Sequence, residues 1–322
     1  MIAGSTLTGT LYGVAAGALW GLVFVAPEFC GDFGPLQQSV ARYLFYGGIA
    51  LLLIAPRWNR LRPHLGRHEW FGLLWLALAG NVVYYVLLAS AVQMAGIALS
   101  SLVVGFLPVT ITIIGSRDKG AVPLTRLIPS LLLCVAGAAC IGWEAMLPAD
   151  GAAGATRLLG LLAAIGALLS WTCFAVGNAR WLNRLEHVSE HDWSLLTGVV
   201  TGGIALLMVP LLPLLEDTSH DASSWMRLAL VSAGIAIFAS IIGNALWNRM
   251  SRLLPLTLVG QMILFETLFA IIYACLWEGR LPTLPETAAF LLLVMGVLAC
   301  LAAHRPRPGK RGEALAAAHP PL

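Results

Sequence analysis

Long apolar stretches, each closed by a short polar knot, recur along the whole chain. A helix needs about 20 mostly apolar residues to cross roughly 30 Å of hydrocarbon. Ten segments meet that requirement: 7–27, 36–55, 69–91, 95–115, 122–143, 157–179, 193–214, 226–247, 254–277 and 284–303. Several connections are only a few residues long, which predicts hairpins between neighbouring helices and leaves no room for a soluble domain. The pattern predicts an all-α integral membrane protein of ten transmembrane helices. After 303 the chain turns basic and then rich in Ala and Pro, so 304–322 is expected to be a disordered tail.

Charge placement orients these spans. Most of the 19 Lys and Arg residues fall on alternate loops. One side carries Arg57, Arg60, Arg62 and Arg67, then Arg117, Lys119 and Arg126, then Arg180 and Arg184, then Arg249 and Arg252. The tail adds Arg305, Arg307, Lys310 and Arg311 to that side. The other side has Arg42, Arg157, Arg227 and Arg280, and collects Glu28, Asp32, Glu144, Asp150, Glu216, Asp217 and Asp221. Basic loops stay in the cytoplasm, so both termini are expected there. Adding or dropping one helix would destroy the alternation.

Composition agrees and removes other classes. The chain is 59% hydrophobic and 11% charged, with a mean hydropathy of +0.84, against about 25% charged residues in a soluble domain. A net charge of +3 gives no footprint for nucleic acid. Cys134, Cys140, Cys173, Cys275 and Cys300 sit inside apolar runs and Cys30 near a helix end, so neither a disulfide framework nor a metal site is expected, and no cofactor is implied. The first apolar run has no basic lead or cleavage site and reads as a retained helix. His68-Glu69 begins like a zinc-protease motif, but Gly72 stands where the second histidine would be.

The two halves echo each other. Gly17-Ala18-Leu19-Trp20-Gly21 leading to Phe24 matches Gly166-Ala167-Leu168-Leu169-Ser170-Trp171 leading to Phe174. LPVTITIIGSRDKGAVPLT (107–125) matches FETLFAIIYACLWEGRLPT (265–283) in length and apolar pattern, and a glycine follows in each half, Gly137 and Gly296. This predicts five-helix repeats over 1–150 and 151–303. An odd number of helices returns the chain to the opposite face, so the second copy enters the membrane inverted. Inverted repeats around a midplane cavity are a recurrent transporter architecture.

The duplication, the WGxxF run at Trp20–Phe24, the proline-containing fourth helix around Pro108 and the WEGRLPT turn at Trp277–Thr283 resemble the drug/metabolite transporter superfamily, over roughly 7–303. The EamA-type branch is the most similar. Within it, SWTCFAV (Ser170–Val176) and the Ala-Leu-Trp-Asn run at 245–248 look like the bacterial amino-acid exporters. The sequence departs from the repeat at Gly120, where the counterpart of Glu278 would fall. The resemblance implies a multi-pass protein of the bacterial inner membrane, a monomer or homodimer, working on a small-molecule substrate within the lipid bilayer.

Candidate residues follow from depth. Glu266 is the one acid deep inside a span, where a charged carboxylate costs roughly 2.5 kcal/mol or more. It reads either as a coupling or substrate-amine site or as a neutral acid bonded to a neighbouring helix, through Asn81 or Gln261. Trp20, Tyr84, Tyr85, Trp171 and Trp247 place polar-tipped rings at mid-depth, where a substrate or helix packing would supply partners. Trp58, Trp70, Trp143 and Trp181 read as interfacial anchors. The resemblance implies that the fourth and ninth helices line the cavity, which adds Phe106, Leu107 and Pro108; Pro108 would also kink its helix. Gly9, Gly13, Gly17 and Gly21 align on one face of the first helix, for tight packing or a sliding gate.

These features favour a carrier that exports small metabolites by alternating access. Amino acids, including aromatic or other apolar ones, are the favoured class, because aromatics, the amides Asn81 and Gln261 and a single acid occupy mid-membrane with no central Lys or Arg. Phosphorylated substrates would call for bidentate cations. A channel or facilitator and a lipid-handling protein are the alternatives. Intramembrane catalysis lacks the residues it would need.

Overall fold

A computed structural model describes residues 2–118, 121–145 and 153–304. Lys119, Gly120, Asp150 and the tail beyond His304 lie outside the described residues, as do the side chains of Glu28, Trp143, Glu144, Trp277 and Glu278. No strand occurs among the described residues. The first half consists of α1 (Ile2–Phe29), α2 (Pro35–Ile54), α3 (Arg67–Ala77), a π-helical turn (Leu78–Val82), α4 (Val83–Val104), α5 (Leu107–Gly115) and α6 (Leu124–Ala145). The second consists of α7 (Ala153–Arg184), α8 (Glu190–Met208), α9 (Ala222–Ile235), a second π turn (Ala236–Gly243), α10 (Asn244–Leu253), α11 (Leu256–Met262), α12 (Leu264–Glu278) and α13 (Leu284–Ala303).

Seven described helical stretches are long and apolar enough to cross a membrane, and Leu124–Gly137 and Thr287–Ala303 are shorter apolar helices. Their outer surface is a belt of leucines such as Leu52, Leu207, Leu214, Leu276 and Leu284, all largely exposed. Water would not tolerate so wide an apolar belt; hydrocarbon matches it, and the chain is a multi-pass membrane protein.

Close approaches give the directions of the helices. A Cβ on Gly47 would lie 2.4 Å from the Gly202 Cα, and one on Gly198 2.8 Å from the Ala50 Cβ, so α2 and α8 run antiparallel. Ser130 donates to the Gly296 carbonyl at 2.8 Å while Gly137 faces Leu293, so α6 and α13 also run antiparallel. Gly9, Gly13, Gly17 and Gly21 meet Leu254, Met262, Phe265 and Ala270 in turn, so α1 lies parallel to α11 and α12. The glycine face of α1 is a packing surface. His304 meets Thr257 and Gly9 meets Leu254, so the two ends of the helical region share one face of the bundle.

Two boundaries differ from those expected. The third span was expected to end at 91, but the chain is helical through α4. It turns back between Ala95, which packs on Gly160, and Thr110, which reaches Thr172 further along α7 at 2.9 Å. Pro108 does not kink a continuous helix either. The break lies just before it, at Gly105-Phe106, and Pro108 occupies the first turn of α5, where its missing N–H leaves no bond unmade.

The ends of the bundle are held by polar contacts. On one face Arg57 pairs with Asp192 at 2.7 Å, Arg180 with Asp118 at 3.3 Å, and Arg249 and Arg252 with Glu190 at 3.2 and 3.3 Å. On the other, Arg227 pairs with Asp32, and the Ser223 hydroxyl and the Ser224 amide hold the Asp221 carboxyl down to about 2. There too the Glu216 carboxylate accepts from the Leu36 and Gln37 amides at 2.9 and 2.8 Å, capping α2 from the opposite half of the chain. Glu216→Ala should therefore lower stability by about 1–2 kcal/mol, read as a fall in melting temperature of the detergent-purified protein. An unchanged value would show that water replaces the cap without loss.

Candidate functional site

Three tryptophans meet at the centre of the bundle, from α1, α7 and α10. Ring centroids are 5.7 Å apart for Trp20 and Trp171, 4.9 Å for Trp20 and Trp247, and 5.4 Å for Trp171 and Trp247. Tyr84 and Phe174 extend the cluster from Trp171, at 6.3 and 5.7 Å. Trp171 meets Trp20, Trp247 and Phe174 edge to face, and Trp20–Trp247 and Tyr84–Trp171 are tilted, arrangements in which rings attract one another through their quadrupoles.

The π turns supply acceptors around this cluster. The Trp20 Nε1–H donates to the Ala239 carbonyl of the second turn at 3.0 Å, and the Ser170 hydroxyl donates to the Ala79 carbonyl of the first at 2.7 Å. Each π turn thus offers a carbonyl to the Trp-bearing helix of the other half, a recurrent use of such turns at functional sites. Trp247 is only 2% exposed, and its Nε1–H has no acceptor among the described residues.

Beside the cluster, Glu266 is buried in the first turn of α12, just past the break at Ile263. A carboxylate is favoured there by the amides and positive dipole end of a helix N-terminus. Gly17 makes room for it: a Cβ on that residue would lie 2.9 Å from the Glu266 amide nitrogen. The Glu266 side chain forms no hydrogen bond or ion pair among the described residues. The bonding partners expected for it are engaged elsewhere. Asn81 donates to Thr201 at 3.0 Å, and Gln261 donates to Thr112 and accepts from Cys134, both at 3.3 Å.

The expectation of no basic residue at depth is overturned by Arg42. This residue lies seven positions into α2, roughly 10 Å along the helix from Pro35, and is 9% exposed. Its guanidinium bonds the Ser240 hydroxyl of the second π turn at 3.2 Å through both Nε and Nη2. It lies over the rings of Tyr85 and Tyr43, 4.9 and 5.3 Å from their centroids, an arrangement stabilised by cation–π attraction. Its place within the 36–55 span, next to Tyr43, was the available signal; counting it with the loop charges hid it.

The other expected residues divide. Trp20, Trp171, Tyr84 and Trp247 come together in the cluster, and Tyr85 stands with Arg42. Leu107 and Pro108 are buried and Phe106 half-buried at the break before α5. This helix packs on α11 through Ile111–Gly260 and Thr112–Gln261. Trp58 and Trp70 are partly exposed, as anchors should be, whereas Trp181 stacks on Trp193 at 5.3 Å and fills the space over Gly72.

Hollows lie away from the tryptophan cluster. One of about 490 Å³ lies among Leu22, Phe29, Leu230, Phe238, Tyr273 and Leu276, with an almost wholly apolar lining. Between it and Arg42 is a void of about 10 Å³ lined by Cys30, Gln38, Arg42, Tyr85 and Ser232, on the scale of a single water. Another of about 320 Å³ lies at the opposite end, beside Tyr12, Glu190, Arg249 and Arg252.

A helical membrane protein with broken helices and buried unpaired charges at its centre has the anatomy of a membrane carrier, and comparison with known proteins gives the family. The profile of the EamA-like transporter family matches residues 7–143. Inner membrane protein YtfF of Escherichia coli (strain K12) is 32% identical over 317 residues, 94% of this chain and 97% of that protein. The chain belongs to the EamA-like transporter family of the drug/metabolite transporter superfamily. A crystal structure of another protein shares the fold, with a TM-score of 0.71 at 19% identity, covering 92% of this chain and 98% of that one.

Proposed function

We propose that this transporter exports small metabolites, amino acids foremost, across a bacterial inner membrane by alternating access. Aromatic and other apolar amino acids suit the cluster best. Trp20, Tyr84, Tyr85, Trp171 and Trp247 bind the substrate side chain, and Glu266 receives its amine or a coupled proton. Asn81, Gln261 and the Phe106-Leu107-Pro108 segment shape the helices around the site. The chain crosses ten times as two inverted halves, 1–150 and 151–303, with both termini cytoplasmic.

The observation that carries this reading is a central cluster built from both halves around polar groups the protein leaves unpartnered, Glu266 and the Trp247 Nε1–H. Further support comes from the symmetry of the irregularities. In the register that aligns 107–125 with 265–283, the π turn at Leu78–Val82 falls on that at Ala236–Gly243, and the break at Gly105-Phe106 falls on that at Ile263. Moreover α2 packs on α8 and α6 on α13, pairs that a two-fold axis in the membrane plane would bring together.

The test is counterflow of labelled amino acids into proteoliposomes preloaded with unlabelled substrate. Saturable exchange confined to some amino acids is the expected result. Non-saturable flux would make the protein a channel, and no exchange above empty vesicles would remove amino acids as its substrates. Exchange that depends on lipid headgroups would favour the lipid-handling reading.

A further inference from the structure

Among the described residues the buried charged side chains are Arg42, Asp192 and Glu266. Asp192 is matched by Arg57. Arg42 and Glu266 form no ion pair among the described residues, and they stand in one neighbourhood. Arg42 bonds Ser240, next in sequence to the Ala239 whose carbonyl Trp20 bonds, and Glu266 packs on Gly17, three residues before Trp20 on α1, yet the two form no ion pair with each other.

A guanidinium has five N–H donors in a flat fork that fits a carboxylate in two-toothed fashion. At Arg42 the protein supplies the Ser240 hydroxyl, the faces of the Tyr43 and Tyr85 rings and the Tyr85 hydroxyl, all neutral. Buried charges are normally paired, because an unpaired one is costly to remove from water. Here a guanidinium and a carboxyl group are held apart beside an aromatic cluster with an unused Trp N–H. Such an arrangement complements a ligand that has both charges on adjacent atoms and an apolar side chain. A phosphate dianion would meet the repulsion of Glu266.

We infer that Arg42 binds the α-carboxylate of the transported amino acid while Glu266 binds its ammonium group, making the pair a detector of the zwitterion. This assignment rests on the amino-acid reading above and deepens it. Tyr43 and Ser240 are positioning residues that hold the guanidinium fork. The tryptophan cluster then selects among side chains.

The test is competition in the counterflow assay, with a transported amino acid as label and three unlabelled probes: the same amino acid, its carboxamide and its N-acetyl derivative. With the unsubstituted protein both derivatives should compete at least about tenfold more weakly than the amino acid, the loss expected when a charge-assisted hydrogen bond is removed. In Arg42→Gln the amino acid should weaken to the level of its carboxamide, while discrimination against the N-acetyl derivative persists. Arg42→Lys, which keeps the charge and guards against a folding failure, should retain part of the preference for the free carboxylate. Unaltered preference for the carboxylate in either variant overturns the role of Arg42 and leaves the transport reading intact. Absence of amino-acid exchange by the unsubstituted protein overturns both.

Discussion

Glu266→Gln is expected to lower amino-acid exchange by about tenfold or more and to leave the protein at least as heat-stable as its parent. The two effects have separate causes. Glutamine has nearly the shape of glutamate, so Gly17 still accommodates it against α1. Glu266 holds no partner that the change would orphan, and replacing an unpaired carboxylate in the membrane interior removes a cost of roughly 2.5 kcal/mol or more when it is ionised. What is lost is the negative pole for an ammonium group, a charge-assisted contact worth about 1.5–3 kcal/mol, hence the tenfold figure. Exchange assays with a melting curve on the same preparation decide the matter. Unchanged exchange would sink the role given to Glu266, and a fall of several degrees in melting temperature would make it a structural residue.

A second large effect is expected at the crossing of α2 and α8. Gly47→Ala should destabilise the protein by about 1–3 kcal/mol, the usual cost of overpacking, whereas Gly48→Ala should be neutral or mildly stabilising. A methyl at residue 47 would lie 2.4 Å from the Gly202 Cα and 3.2 Å from the Gly198 carbonyl oxygen, all of it backbone that cannot rotate away. Nothing lies within 4 Å of a methyl at residue 48, and alanine is the better helix former by about 1 kcal/mol. The pair Gly202 and Gly203 should repeat the contrast, since residue 202 faces Gly47 and residue 203 faces open space. Melting temperatures of the four alanine variants in one detergent test the crossing directly. Equal losses at 47 and 48 would mean that the helices do not approach this closely.

Both predictions come from features that differ in how readily the sequence shows them. The apolar spans are visible because hydropathy is a local property, summed over about 20 residues with no knowledge of neighbours. The glycine face of α1 is visible for the same reason, since spacing by four puts residues on one side of a helix, and its packing role followed. Trp20, Trp171, Tyr84, Trp247 and Glu266 stood out because polar-tipped or charged groups are rare at mid-membrane. Their meeting in one place was not legible, because it depends on how helices from different halves cross.

Arg42 shows where local reading fails. Along the chain it is a basic residue near a helix start, readily counted with the charges of the membrane surface despite its place within the 36–55 span. Only the fold brings Ser240, 198 residues away, to its Nε and Nη2 and sets Tyr85 beneath it. The Glu216 cap on α2 is long-range in the same sense, joining residues 180 apart. Pro108 was misread for a different reason. Proline forbids a regular bond at its own nitrogen, but whether that breaks a helix or starts one depends on where the preceding turn ends. By itself, then, the sequence determined the membrane class, the approximate spans, the internal echo and most of the central aromatics, because each of these rests on the kind and spacing of nearby residues. The tertiary structure alone decided which charges are unpaired, which amides are already occupied and which glycines are irreplaceable, because those properties arise where distant segments touch.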